Sequence, residues 1–279
     1  MTVARIDARF AQLRAKDRAA FVAYIMSGDP DAETALEILK GLPAAGADLI
    51  ELGFPFSDPM AEGPPIQRAA QRALKAGMTL RGTLDLVRGF RQGDQATPII
   101  LMGYLNPLLT YGLDAFAQDA EQAGVDGMIV VDCPPEEADP LADALDAAQV
   151  ALIRLATPTS DDKRLPVVVR RTSGFVYYVS VAGVTGVKEA DAAVVAPAVS
   201  RVRAASGLPV AVGFGIKTPE RAAAVARIAD GVVVGSVLVD EIASAMALNQ
   251  SVAPKVLESA ARLAQAVRAA RVEQTTVQA

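Results

Sequence analysis

Acidic residues within and just after a short apolar segment are the first feature of this sequence that could do chemistry. Glu51 interrupts the run Leu49–Leu52, and Asp58 and Glu62 follow in a loop rich in glycine and proline. A carboxylate in a buried strand is costly unless it is paired or protonated. Glu51 therefore has two interpretations: a structural ion pair with a lysine or arginine, or an acid/base residue whose pKa is raised by its apolar neighbours.

The composition limits which other chemistry is available. Histidine is absent, which excludes Ser-His-Asp and Cys-His catalysis and argues against a transition-metal site. Cys133 is the single cysteine, so an internal disulfide is excluded, and a reducing, cytoplasmic compartment is expected. The net charge of -5, with no basic run, argues against nucleic acid or an anionic membrane as a partner. No run of about 18 apolar residues occurs, so no transmembrane helix is expected.

Short apolar segments of strand length recur along the chain and alternate with helical stretches. Because they are continuously apolar, they are typical of parallel strands buried on both faces. The predicted strands are Phe21–Met26, Leu49–Leu52, Pro98–Met102, Gly127–Val131, Ala151–Leu155, Phe175–Val179, Pro209–Val212 and Gly231–Val234. The helical stretches include Asp31–Ala45, Asp114–Ala123, Glu136–Ala147 and Pro219–Ile228. This alternation predicts an α/β fold, a (β/α)8 TIM barrel in one domain over residues 1–279, with a doubly wound open sheet as the alternative.

Both ends of the chain add to this barrel. Ile6, Phe10 and Leu13 share one face of residues 2–15, which predicts an amphipathic N-terminal helix, within residues 1–16, under the barrel floor. Val252–Val272 predicts an extended C-terminal helix, and residues 273–279 a frayed tail.

Glycines at two neighbouring strand ends predict a phosphate site. Ligands of such barrels bind at the C-terminal ends of the strands, where Gly215 follows the seventh strand and Gly235 and Ser236 follow the eighth. Glycine lets the backbone approach a ligand, and a helix N-terminus supplies free N–H groups. The alternative is that both glycines only make turns and that Ser236 is only a helix cap.

Other strand ends carry polar side chains that suit a site wall. Tyr104 and Tyr177 each lie near a strand end, although either could belong to the core. Asp132 lies at another strand end, and its alternative role is a turn or N-cap for the helix that begins near Glu136. No lysine lies within a predicted strand, so a Schiff-base aldolase lacks its nucleophile and general acid/base catalysis is favoured.

These motifs, in this order, resemble the tryptophan synthase alpha subunit family. The signature is Glu51-Leu-Gly-Phe-Pro-Phe-Ser57-Asp58-Pro, and the likeness extends through Gly28-Asp29-Pro30, Met102-Gly-Tyr-Leu-Asn106-Pro, Asp132-Cys-Pro, Gly183-Val-Thr185-Gly186, Gly213-Phe-Gly-Ile and Gly235-Ser236. The resemblance implies cleavage of indole-3-glycerol phosphate to indole and glyceraldehyde 3-phosphate. It implies no cofactor or metal in this chain. Indole would pass to a beta subunit, whose pyridoxal phosphate joins it to serine, within an α2β2 heterotetramer.

The resemblance also assigns roles to individual residues. Glu51 matches the general acid/base glutamate, and Glu62 matches the second catalytic carboxylate, which accepts from the indole N–H. The family usually has aspartate at position 62 and phenylalanine at position 24, so both positions depart from its pattern, and the rate with Glu62 stays open. Asp58 and Asp132 match positions that support loop closure and subunit communication. The substrate-binding residues implied are Tyr24, Tyr104, Tyr177, Thr185, Gly186, Gly213, Gly215, Gly235 and Ser236.

Two other functions stay open. The chain could be a stand-alone indole-3-glycerol phosphate lyase that releases free indole, which would turn over fast without a partner. It could instead be a weakly catalytic subunit that mainly activates the beta partner, with Glu62 no longer working. Replacing Glu51 by glutamine separates this last function from both enzymes.

Overall fold

Parallel strands arranged around a closed core form the centre of the molecule. The computed structural model describes residues 3–180, 192–213 and 215–271. Its strands are β1 Ala20–Met26, β2 Leu49–Gly53, β3 Ile99–Gly103, β4 Gly127–Val130, β5 Ala151–Leu152, β6 Arg154–Ala156, β7 Val176–Val179, β8 Val210–Gly213 and β9 Gly231–Val234. All pairings are parallel, in the order β5-β4-β3-β2-β1-β9-β8-β7-β6. The predicted barrel is confirmed.

The fifth predicted strand is the one that differs. Ala151–Leu155 was expected as a single strand, but the structure divides it at Ile153 into β5 and β6. The first segment pairs with β4 and the second with β7. A strand that changes partner halfway presents its hydrogen-bonding groups first to one neighbour and then to the other, so neither ladder is continuous. This divided strand is where the barrel closes.

Helices surround the barrel, and two of them occupy the connection from β2 to β3. The helices are α1 Val3–Ala15, α2 Ala32–Gly41, α3 Pro64–Lys75, α4 Leu80–Arg91, α5 Leu105–Tyr111, α6 Leu113–Ala123, α7 Asp139–Ala147, α8 Leu165–Val168, α9 Ala192–Ser206, α10 Pro219–Ala226, α11 Ser236–Ala247 and α12 Val252–Ala269. The helix expected from Glu136 begins only at Asp139, after a 3-10 turn at Pro135–Glu137. Pro140 explains this, because proline is tolerated in the first turn of a helix but not in its interior.

The N-terminal helix α1 covers the floor of the barrel, as predicted. Ile6 reaches the start of β4, where a Cβ added to Gly127 would lie 3.3 Å from its Cδ1. The rings of Phe10 and Phe175, just before β7, have centroids 5.6 Å apart. At the other end of the chain, α12 packs against α2, where Gly41 lies under Leu257. The tail beyond residue 271 lies outside the described residues.

Buried carboxylates at the barrel floor are paired with arginines. Asp126 accepts from Arg91 at 2.7 Å and from Arg5 at 2.8 Å. Asp48 accepts from Arg18 at 2.6 Å. At the bottom of a barrel such residues serve stability.

Candidate active site

The first catalytic candidate, Glu51, lies near the C-terminal end of β2 and is 1% exposed. It has no ion pair with any described residue, and its Oε1 has no hydrogen-bond partner there. Burial and then the nearby Glu62 carboxylate raise the pKa of Glu51 from 4.5 to about 8. The structural ion pair that the sequence left open is therefore excluded within the described chain.

The second candidate, Glu62, belongs to the loop that connects β2 to α3 and is 7% exposed. Burial raises its pKa from 4.5 to about 7. Backbone contacts hold the loop on both sides. The N–H of Ala61 donates to the Tyr104 hydroxyl at 3.0 Å, and the Gln67 side chain donates to the Glu62 carbonyl at 3.0 Å.

Aromatic rings close over the strand-final glycines at the mouth of the barrel. A Cβ added to Gly53 at the end of β2 would lie 2.3 Å from the Tyr24 hydroxyl, and one added to Gly213 would lie 2.0 Å from the Tyr177 hydroxyl. Real Cβ atoms do not approach so closely, so both positions need glycine for space. Burial, together with both glutamates, raises the pKa of each tyrosine well above its usual value.

The predicted phosphate-binding residues lie in the same cavity as the two glutamates. Gly215 has φ +77°, a conformation that favours glycine. Gly235, not Ser236, is the N-cap of α11, and Ser236 is the first residue of the helix. The simple capping role considered for Ser236 is therefore wrong. The free N–H groups of this helix end suit an anion.

One cavity collects these residues. It encloses about 500 Å³, including the part open to solvent, and is lined by Tyr24, Glu51, Glu62, Ile66, Met102, Tyr177, Gly215, Ile216, Val233, Gly235 and Ser236. Its apolar lining from Ile66, Met102, Ile216 and Val233 was not singled out from the sequence. Met102 and Val233 lie within predicted strands, so barrel geometry could have indicated them, whereas Ile66 lies on the unpredicted α3.

Other predicted site residues lie outside this cavity. Gly213, the last residue of β8, packs against the hydroxyl end of the Tyr177 ring. Asp58 is exposed and accepts from Ser57 at 2.5 Å. Asp132 is also exposed, and its carboxylate accepts from the N–H of Leu105, the first residue of α5, at 2.8 Å.

Two predicted substrate contacts, Thr185 and Gly186, lie outside the described residues. Within the described ranges, no group of three or more histidine, cysteine, aspartate or glutamate residues could hold a metal ion. Across the same part of the chain, no helix is both long enough and apolar enough to cross a membrane.

Comparisons with known proteins agree along nearly the whole chain. A family model described as "Tryptophan synthase alpha chain" matches residues 10–268. The alpha chain of Phenylobacterium zucineum (strain HLK1) is 77% identical over 271 residues, covering 97% of this chain and 98% of the relative. That of Caulobacter sp. (strain K31) is 74% identical over 273 residues, covering 98% and 99%.

Solved structures agree in fold. Subunit alpha of tryptophan synthase from Legionella pneumophila str. Paris superposes with a TM-score of 0.88 at 42% identity, covering 94% of this chain and 98% of that one. A chain of Mycobacterium tuberculosis tryptophan synthase gives 0.86 at 37% identity, covering 95% and 98%.

Proposed function

This chain belongs to the tryptophan synthase alpha chain family, which catalyses the indole-3-glycerol phosphate lyase reaction, and we propose that Glu51 and Glu62 are its two catalytic carboxylates. One observation carries the assignment. Both carboxylates are buried in one cavity and have no ion pair with a described residue, whereas Asp48 and Asp126 at the barrel floor are paired with arginines. Buried acids kept unpaired beside a candidate anion site are typical of acid/base chemistry.

The order of the two pKa values supports separate roles. Because the pKa of Glu51 is about 8 and that of Glu62 about 7, the pair holds one proton between these pH values, mainly on Glu51. Glu51 then donates its proton to C3 of the indole ring. Ionised Glu62 accepts a hydrogen bond from the indole N–H, where positive charge develops.

The remaining step restores the starting state. Once Glu51 has given its proton to C3, its carboxylate takes the proton of the glycerol hydroxyl adjacent to the indole ring. The electron pair of that O–H bond forms the aldehyde carbonyl as the C–C bond breaks. The electrons of the C–C bond return to the indole ring. Indole and glyceraldehyde 3-phosphate result, and Glu51 is again protonated.

The phosphate end of the substrate is assigned to the backbone at Gly215 and Gly235 and to Ser236. These residues line the same cavity as Glu51 and Glu62. The N-terminus of α11 offers N–H donors and the positive end of a helix dipole. Thr185, Gly186 and Gly213 stay predictions from the family resemblance, as do the roles of Asp58 and Asp132 in loop closure.

The family name implies a beta partner, and an α2β2 heterotetramer is the assembly that we propose. Two large apolar side chains support an interface on this face of the barrel. Met60, in the loop that carries Glu62, is 81% exposed, and Leu109 on α5 is 56% exposed. A partner bound here would contact the loop that holds Glu62.

Three further proposals complete this function. The chain folds as one domain, consistent with one family match over residues 10–268. It uses no cofactor of its own, because acid/base chemistry by two carboxylates suffices. It resides in the cytoplasm, which the single free thiol of Cys133 supports.

Indole release from indole-3-glycerol phosphate tests the assignment. We expect Glu51→Gln and Glu62→Gln each to lower kcat by at least about 100-fold, the usual contribution of a positioned acid or base. Glu258→Gln, an exposed control on α12, should match the wild type. Full activity in Glu51→Gln would contradict the assignment of Glu51 as a catalytic carboxylate.

Repeating this assay with a beta subunit separates the remaining alternatives. Slow turnover that rises on adding the partner supports the heteromeric enzyme. Fast turnover alone, unchanged by a partner, indicates the stand-alone lyase. If the wild type releases indole no faster than Glu51→Gln does, with or without the partner, the chain is a subunit that only activates the beta subunit.

A further inference from the structure

We propose that the Tyr24 hydroxyl is a positioning group that donates to ionised Glu62 and so keeps the proton of the carboxylate pair on Glu51. This inference rests on the roles proposed above for the two glutamates. It adds a third side chain, which sets the protonation state that the reaction requires.

Strand register places Tyr24 beside the pair. Tyr24 on β1 lies directly opposite Glu51 on β2 in the parallel ladder. Glu51 and Gly53 share one face of β2, because side chains two residues apart point the same way. The Tyr24 hydroxyl lies over Gly53, so it stands one step beyond Glu51 towards the mouth of the barrel. Tyr24 and Glu62 line the same cavity.

Two glycines fix the Tyr24 ring in this place. The hydroxyl end rests against Gly53, where an added Cβ would be 2.3 Å away. The base of the ring rests against Gly235, where an added Cβ would lie 3.1 Å from Cδ1. A ring held at both ends loses little further freedom when its hydroxyl forms a hydrogen bond. A pre-organised donor of this kind favours the ionised form of the carboxylate to which it donates.

Among the described residues, Glu62 is the charged side chain that acts most strongly on Tyr24. Apart from burial, the largest influence that raises the pKa of Tyr24 is Glu62, followed by Glu51, Tyr104 and Asp29. Asp29 is neutralised by Arg72, with N–O distances of 2.7 and 2.8 Å. Tyr177 faces both glutamates from β7. Within the part of the chain that the structure describes, the ionisable groups that act on Glu51, Glu62, Tyr24 and Tyr177 are therefore acidic or phenolic. A phenol that stays protonated acts as a hydrogen-bond donor towards an ionised carboxylate.

Tyr24→Phe tests the proposal through the pH dependence of kcat/KM. Loss of a hydrogen bond to an ionised group raises the pKa of that group, so the acidic limb, set by Glu62, should move up by about one pH unit. At about pH 7 the activity should then fall roughly fivefold. The alkaline limb should move less, because Glu51 is the protonated member.

Tyr178→Phe is the matched control. Tyr178 follows Tyr177 on β7 and is also buried, but it points to the other side of the strand. The substitution Tyr178→Phe therefore removes a phenol hydroxyl that lies outside the cavity. Its pH profile should coincide with that of the wild type. Thermal unfolding of both variants shows that each is folded under the assay conditions.

Carbon-13 titration of labelled glutamate carboxyls gives a second measurement that needs no activity. In Tyr24→Phe the signal assigned to Glu62, by its absence from Glu62→Gln, should titrate at higher pH. A wild-type profile and titration in Tyr24→Phe would overturn the inference, as would a uniform loss of rate without a shift. If either of these results is found while Glu51→Gln is inactive, the role of Tyr24 is wrong but the proposed function still stands.

Discussion

At the scale of the residue, the site depends on space left by glycine as much as on charge. Gly53 and Gly213 end two strands, and each lies under the hydroxyl of a tyrosine from the neighbouring strand. The family resemblance implied a substrate-binding role for Gly213 and none for Gly53. In the structure, the group nearest to each glycine is a tyrosine side chain of the same protein: Tyr24 at Gly53 and Tyr177 at Gly213.

Gly53→Ala should therefore lower activity without touching either carboxylate. The new methyl group would occupy the place of the Tyr24 hydroxyl and displace the ring into the cavity. We expect kcat/KM to fall at least tenfold and stability to fall by about 1–3 kcal/mol, the usual cost of overpacking. Gly93→Ala is the control, because its added Cβ would meet nothing closer than 4.0 Å. Steady-state kinetics and urea unfolding of both variants measure the difference.

The sequence was enough to predict that Glu51 and Glu62 belong to the candidate site, but not that both would be buried there without an ion pair to a described residue. An acid in an apolar strand already suggested a raised pKa. Whether an arginine would reach Glu51 depends on which elements meet at that end of the barrel. Asp126 also borders a strand, and there Arg5 and Arg91 arrive from distant parts of the chain. Sequence spacing does not distinguish these two cases.

At the scale of the element, the loop from β2 to α3 is held by a residue of the next unit. The Tyr104 hydroxyl, at the N-terminus of α5, accepts from the Ala61 N–H beside Glu62. Its ring packs on Phe56, with centroids 5.2 Å apart. Tyr104 was expected to touch substrate. The structure gives its hydroxyl a contact that holds the loop carrying Glu62, one of the two proposed catalytic carboxylates.

Tyr104→Phe should consequently affect turnover more than substrate binding. The ring and its packing remain, but the Ala61 N–H loses its acceptor, at a cost of about 1 kcal/mol. A loosely held Glu62 should lower kcat by about tenfold and leave KM within about twofold. Tyr111→Phe, at the opposite end of α5, is the control. Equal kinetics for the two variants would show that this hydrogen bond does not position Glu62.

Most strands were predictable to within a residue or two because continuous apolar runs mark them. The divided fifth strand was not, since its change of partner from β4 to β7 depends on barrel closure. The contact between Tyr104 and Ala61 joins residues 43 positions apart, and no local pattern marks it. Local sequence therefore indicates the elements, and tertiary packing decides which loop each one holds.

At the scale of the whole molecule, two aspartates at the barrel floor and two glutamates at its mouth affect the stability of the fold in opposite ways. Asp48 and Asp126 hold the floor together through their arginine partners. Glu51 and Glu62, which have no ion pair with a described residue, weaken the fold when they ionise. A raised pKa means that folding favours the protonated form. The stabilisation is complete below the ordinary value of 4.5 and is lost as the pH rises to about 8.

Glu51→Gln should remove part of this pH dependence. Relative to the wild type, the variant should gain up to about 1.4 kcal/mol of stability per pH unit between about pH 5 and pH 8. Urea unfolding at several pH values measures the gain. Glu258→Gln, on the surface, should show a constant difference over the same range. A constant difference for Glu51→Gln would mean that Glu51 ionises as easily in the folded chain as in the unfolded one.

The pH dependence of kcat/KM for indole release tests most directly whether one proton on the pair Glu51 and Glu62 drives the cleavage. Activity should rise as Glu62 ionises near pH 7 and fall as Glu51 loses its proton near pH 8, each limb reporting one proton. The predicted result is a narrow maximum between these values that is absent from Glu51→Gln. A rate that stays level from about pH 6 to pH 9 would contradict a catalytic proton held between these two side chains.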